Sequence, residues 1–162
     1  MKTANTLENW VDKYATMLYR IAFARVLNEA DAEDVLQEVY LKYLRYRPDF
    51  NDDEHAKAWF IRVTCQQSRE LGRQRWRKDM PLDDAVAAGE RTDRADTERE
   101  ELRLDMEDAL RRLSEDDREI LHLSYYEGLD SKEIARLTDR TPGAVRMQLT
   151  RARRKLQDIW EA

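Results

Sequence analysis

A chain of 162 residues with 41% hydrophobic and 39% charged side chains, 4 Gly, 3 Pro and a net charge of −5 leaves little room for a strand-rich fold, which spends many more turn residues at this length. A single Cys excludes an internal disulfide and a thiolate metal site, and it suits a reducing cytoplasm. No apolar run approaches the roughly 18 residues of a membrane span and no signal-peptide pattern opens the chain, so a soluble, cytoplasmic, all-α protein of one domain or two small ones is expected.

The first predicted helix runs from Leu7 to Leu27, with Leu7, Trp10, Val11, Tyr14, Leu18, Ile21, Ala22 and Val26 on one side at spacings of three and four. Asn28 and Glu29 break it. Asp31, with Asp34 three residues on, then reads as an N-cap for a helix to about Arg47, whose buried stripe is Val35, Leu36, Val39, Tyr40, Tyr43 and Leu44. Pro48 closes that helix. Beyond a polar connector, Asp49 to Asp53, a third helix is expected from about Glu54 to Arg77 with Ala58, Trp59, Ile61, Val63 and Leu71 inside.

Residues 79–101 change character, with Pro81, Gly89, no aromatics and nine acids, and read as an acidic flexible linker. Helical periodicity resumes near Leu102 with Leu104, Met106, Ala109, Leu110 and Leu113. Ser114 caps the next helix, with Asp117 three residues on, and Gly128 ends it. A short helix from Ser131 to Leu137 follows, and Thr141 before Pro142 opens a last helix reaching about Trp160.

The overall acidity hides two basic stripes. Between Arg62 and Lys78 six Lys or Arg face one acid, Glu70, and between Arg140 and Lys155 six face none. Concentrated cation on an acidic chain is the electrostatic footprint of nucleic-acid contact. The segment DSKEIARLTDRTPGAVRMQLTRARRKL carries the second stripe and reads as a helix-turn-helix. Ile134, Ala135, Leu137, Val145 and Leu149 form its core, and Thr141, Arg146, Met147, Thr150, Arg151, Arg153 and Arg154 face outward toward duplex DNA. The first stripe interleaves Arg62, Arg69, Arg73, Arg75, Arg77 and Lys78 with Trp59, Phe60 and Trp76, a pattern suited to single-stranded DNA. Asp34, Gln37, Glu38 and Leu41 share one face of the second helix, which on its own is an ordinary solvated border. His55, His122 and Cys65 have no metal-like spacing or evident base, and no glycine-rich phosphate loop occurs, so no catalytic residue, metal, cofactor or small-molecule substrate is expected.

Taken together, DAEDVLQEVYLKYL, AWFIRVTCQQSRELGRQRWRK and LSEDDREILHLSYYEGLDSKEIARLTDRTPGAVRMQLTRARRKL resemble, in order and spacing, the bacterial RNA polymerase sigma factors of the extracytoplasmic-function group. The resemblance implies three segments. Residues 1–78 form a region 2-like domain for polymerase binding and minus-ten melting, 79–101 the linker, and 102–162 a region 4-like domain reading the minus-thirty-five element. It further implies that Asp34, Gln37, Glu38 and Leu41 hold the clamp helices of the polymerase's largest subunit. Tyr46, Phe50 and Asn51 would then trap a flipped minus-ten base, aided by the arginines from Arg62 to Arg77. Thr141, Pro142, Gly143, Ala144, Arg146, Met147, Thr150, Arg151, Arg153 and Arg154 would read duplex, and the second domain would meet the polymerase flap. Promoter elements about 17 base pairs, or about 58 Å, apart lie within reach of about 22 extended residues, at most about 75 Å. Family members are commonly held by an anti-sigma factor, frequently membrane-anchored. Asp139 stands where the family often has Gly, Gln148 where Arg is common, and CQQSREL replaces a more Asn-rich run. A helix-turn-helix repressor or activator with an N-terminal sensing or dimerisation domain is the alternative reading.

Overall fold

The computed structural model describes residues 6–78 and 106–161. The linker expected at 79–101 lies outside the described residues. Every element among the described residues is helical.

Helix α1, Leu7–Val26, starts at Thr6, whose Oγ1 accepts the Asn9 N–H at 3.3 Å, and ends at Leu27 in the left-handed region, φ 51°. Its buried face is Tyr14, Leu18, Ile21 and Ala22, as the spacing predicts, together with Arg25, which the spacing does not predict. Helix α2, Glu29–Tyr46, is capped by Asn28 rather than Asp31, because the Asn28 side chain accepts the Asp31 N–H at 2.8 Å. Asp31 instead sits in the first turn, paired with Arg75. Val35, Leu36, Val39 and Tyr43 are buried as expected, whereas Leu44 is exposed one position beyond the inward face. Helix α3, Asp53–Lys78, buries Phe60, Ile61, Val63 and Cys65, with Trp59 half-buried at the edge of the core. These three helices pack on one another.

The second half begins with a helical stretch at 106–111 and helix α4, Glu115–Leu121, capped by Ser114 through the Asp117 N–H at 3.1 Å. A π-helical turn, His122–Tyr126, follows without a break, its widened ladder marked by the Glu127 N–H on the His122 carbonyl at 3.0 Å. Nothing in the sequence pattern announces it. Gly128 supplies the positive φ, 73°, that turns the chain. Helix α5, Ser131–Thr138, has a complete capping box between Asp130 and Glu133. Helix α6, Pro142–Glu161, opens at Thr141, whose Oγ1 accepts the Ala144 N–H at 3.1 Å. Ile134, Ala135, Leu137, Val145, Leu149 and Ala152 close the core between α5 and α6.

The halves meet along a seam in which α4 lies against α1 and α5 against α3. Arg118 bridges it. Its Nε donates to the Ala24 carbonyl at 2.8 Å and its Nη2 to the Arg25 carbonyl at 2.6 Å, both at the C-terminal, electronegative end of α1. Its Nη1 meanwhile donates to Leu113 and Leu110 in its own half, at 2.8 and 3.1 Å. Arg25 reciprocates with Asp116 at 2.8 Å.

Candidate nucleic-acid and polymerase interface

The recognition helix separates its faces cleanly. Val145, Leu149 and Ala152 point into the core, and Thr141, Ala144, Arg146, Met147, Thr150, Arg151, Arg153 and Arg154 are exposed. Pro142 and Gly143 are half-buried at its start. Gly143, Arg146, Met147, Thr150 and Arg151 line an open groove of about 460 Å³. Arg153 donates to the Tyr125 hydroxyl and lies over that ring, which draws it toward the π-turn and away from Arg146 and Arg151. Gln148 is not a reading residue in this arrangement. Its amide donates to Asp117 at 3.0 Å and its carbonyl accepts from Arg140, so it ties α6 to α4. That accounts for a Gln at a position where Arg is common: an Arg here would abandon the Arg140 contact and place a second cation beside it.

On α2, Asp34, Gln37 and Glu38 are exposed and Leu41 is 49% exposed, so the acidic and apolar border expected there is present and turned outward. Leu44 and Tyr46, the latter 65% exposed, extend it toward the helix end.

The connector residues divide. Phe50 packs inward, 5.5 Å from Trp10, 6.0 Å from Trp59 and 6.5 Å from Tyr43 between ring centroids. Asn51 is exposed, its backbone N–H donating to His55 Nδ1 at 3.0 Å. Tyr46 is therefore the exposed ring among the three, and Phe50 is part of the wall behind it.

The arginines of α3 are not one free stripe. Arg73 pairs with Glu70 at 3.2 Å and Arg75 with Asp31, both at the surface. Arg62 reaches across the seam to the turn of the helix-turn-helix, its Nη1 donating to Asp139 at 2.9 Å and its Nη2 to the Arg136 carbonyl at 2.6 Å. Arg69 is drawn into the seam, its Nε and Nη2 buried without hydrogen-bond partners. The Arg77 side chain lies outside the described residues.

Beneath these, Glu119 is 1% exposed and Cys65 is fully buried beside it. Burial raises the Glu119 carboxyl above its usual range against the opposing pull of Arg25, Arg69 and Arg140, and burial also pushes the Cys65 thiol up. Burial lowers the His122 imidazole, partly offset by its 2.8 Å contact with Glu127. No group of three or more potential metal ligands occurs among the described residues.

Residues 10–78 match the family Sigma-70 region 2, and residues 103–156 match Sigma-70, region 4. The chain belongs to the sigma-70 family. It is a sigma factor of the extracytoplasmic-function group, which directs promoter recognition and transcription initiation. The region 2 match covers the part of the chain that a repressor would give to sensing or dimerisation. This sigma factor is 28% identical over 158 residues to RNA polymerase sigma factor CarQ of Myxococcus xanthus, covering 96% of this chain and 89% of that protein. It is 29% identical over 138 residues to sigma factor SigV of Bacillus subtilis, covering 83% and 78%. ECF sigma factor SigL of Mycobacterium tuberculosis is 29% identical over 148 residues, covering 90% and 84%. The fold is shared with the sigma factor RpoE solved with the anti-sigma factor NepR from Bartonella quintana, at a TM-score of 0.71, 20% identity and 96% coverage of both chains. CnrH, solved with the cytosolic domain of CnrY, gives 0.66 at 21% identity, covering 96% of this sigma factor and 87% of that chain.

The exposed arginines of α6 are expected to be separable. An arginine forked onto a guanine edge contributes about 1 to 3 kcal/mol, and its loss relaxes preference at one base pair, whereas a phosphate contact weakens all sites alike and lowers the salt slope by about one unit. Arg146, one turn into the helix, is expected to behave in the first way and Arg151 in the second. Promoter-library selection with Arg146→Ala and Arg151→Ala checks this, and identical profiles would refute it.

Proposed function

We propose that the exposed border of α2, Asp34, Gln37, Glu38 and Leu41, is the surface that holds the clamp helices of core RNA polymerase. Tyr46 and Asn51 with the arginines of α3 then engage the melted minus-ten strand, and the outward residues of α6 read the minus-thirty-five duplex. The polymerase flap is the proposed partner of the second domain. The domain limits 1–78, 79–101 and 102–162 belong to this reading. Its main support is α6, where six outward residues from Arg146 to Arg154 are exposed on a helix whose opposite face is buried, with no acid among them. Such a surface offers cations and hydrogen-bond donors to a groove, and the unstacking of a flipped base elsewhere in the complex costs a few kcal/mol that polymerase contacts offset.

The chain acts on this reading as a non-enzymatic specificity subunit working in the cytoplasm, in line with the lack of any helix long and apolar enough to cross a membrane among the described residues. An anti-sigma factor is its proposed inhibitor, membrane-anchored in the manner common in the family. RpoE is bound by the anti-sigma factor NepR, and CnrH by the cytosolic domain of CnrY. Co-purification with core RNA polymerase, followed by sequencing of the transcripts the mixture initiates, tests the reading. Tight duplex binding by the free chain with no polymerase association would overturn it in favour of a repressor.

A further inference from the structure

We propose that Asp139 and the C-terminal end of α5 hold Arg62 as an intramolecular stand-in for DNA phosphate, so that the free chain rests closed with a promoter-facing arginine already occupied. The inference rests on the assignment of Arg62 to promoter DNA made above. Its geometry is a fork: one guanidinium nitrogen on the Asp139 carboxylate at 2.9 Å, the other on the Arg136 carbonyl at 2.6 Å. A carboxylate oxygen beside a carbonyl at the negative end of a helix offers a guanidinium two acceptors, much as a phosphate does. These partners lie 77 and 74 residues away in sequence, so the contact exists only when the halves are together.

Asp139 has no need of its carboxylate for the turn. It sits in the left-handed region, φ 58°, and its N–H is taken by the Ala135 carbonyl, so glycine would serve the backbone at least as well. What the side chain adds is the charge that meets Arg62.

The seam around this clasp is built so that it can part. Arg25 Nε and Nη1, Arg69 Nε and Nη2, both Glu119 oxygens and Thr64 Oγ1 are buried there without hydrogen-bond partners, although Arg25 Nη1 lies 3.4 Å from Glu119. Separation would let water satisfy those atoms, which lowers the cost of opening relative to an apolar interface. A clasp that is itself partly exposed then weights an equilibrium rather than locking it. The apparent affinity of any partner that needs the open form falls in proportion to the open fraction.

The single Cys provides the readout, since Cys65 is fully buried against Glu119 across the seam. Modification of the free full-length chain by Ellman's reagent tracks the open population when opening is fast relative to reaction. Asp139→Gly and Asp139→Asn should each raise the modification rate about two- to five-fold at low salt, the range of a surface ion pair, and added salt should raise the wild-type rate toward theirs. In parallel, Arg62→Ala should lower promoter melting by the reconstituted holoenzyme. Unchanged thiol rates in both Asp139 variants would overturn the clasp, whatever the melting result. A rise with glycine but not with asparagine would also overturn it, because the carboxylate would then not be the cause. A rise in both, with Arg62→Ala holoenzyme melting promoters like wild type, would overturn the competition by showing that Arg62 has no DNA to be kept from.

Discussion

Replacing Arg118 with alanine is expected to cost about 2 to 4 kcal/mol in the stability of the C-terminal half, from a side chain that is almost fully buried yet makes four hydrogen bonds to main-chain carbonyls. Two of those carbonyls, Leu110 and Leu113, precede α4 and have their orphaned acceptors satisfied by this guanidinium. The other two close the end of α1. A buried acceptor left without a donor costs about 1 to 3 kcal/mol, reduced where water can enter the vacated space. Arg118→Lys keeps the charge but cannot present the planar fork, so it should retain only part of the stability. Thermal melting followed by circular dichroism is the measurement, and an alanine variant that melts like wild type would show the carbonyls to be satisfied in another way.

The second large effect is expected on assembly rather than on folding. Asp34→Arg combined with Gln37→Ala should weaken holoenzyme formation at least about ten-fold, about 1.4 kcal/mol, while the melting curve stays within about 0.5 kcal/mol of wild type. The reason is that α2 is held by its other face, Val35, Leu36, Val39 and Tyr43, whereas Asp34 and Gln37 are exposed. Reversing a charge at an interface adds repulsion to the lost contact. Gel filtration with core polymerase reads the outcome, and normal assembly of the doubly substituted chain would remove α2 from the interface.

The contrast between these two sites shows what the sequence made legible. Asp34, Gln37, Glu38 and Leu41 could be placed because helical spacing alone sets which side of α2 they occupy. The same holds for the outward row of α6 and for the caps at Ser114 and Thr141, since each rests on neighbours three or four residues away. Asn28 took the cap expected of Asp31 because both side chains can accept an N–H, and spacing does not rank them. Arg25, Arg118 and Glu119 were out of reach for a different reason. A charge in a polar stretch looks solvated, and the bonds from Arg118 to Ala24 and Arg25 span 94 and 93 residues. Arg62 and Arg69 were read as part of a free basic stripe on the same grounds, yet the seam engages the first and buries polar atoms of the second.

The π-turn at His122–Tyr126 makes chain length, as well as composition, critical at this point. A π-turn is an α-helix carrying one surplus residue, so removing any one position from 122–126 would let the ladder close as ordinary α-helix. Everything beyond would then swing by about 100° about the helix axis and retract by about 1.5 Å. Leu123 would lose its inward phase, and the His122 to Glu127 contact and the Tyr125 platform under Arg153 would be carried off their partners. A one-residue deletion here is therefore a rigid reorientation of the helix-turn-helix, more damaging than truncating any single side chain in the stretch.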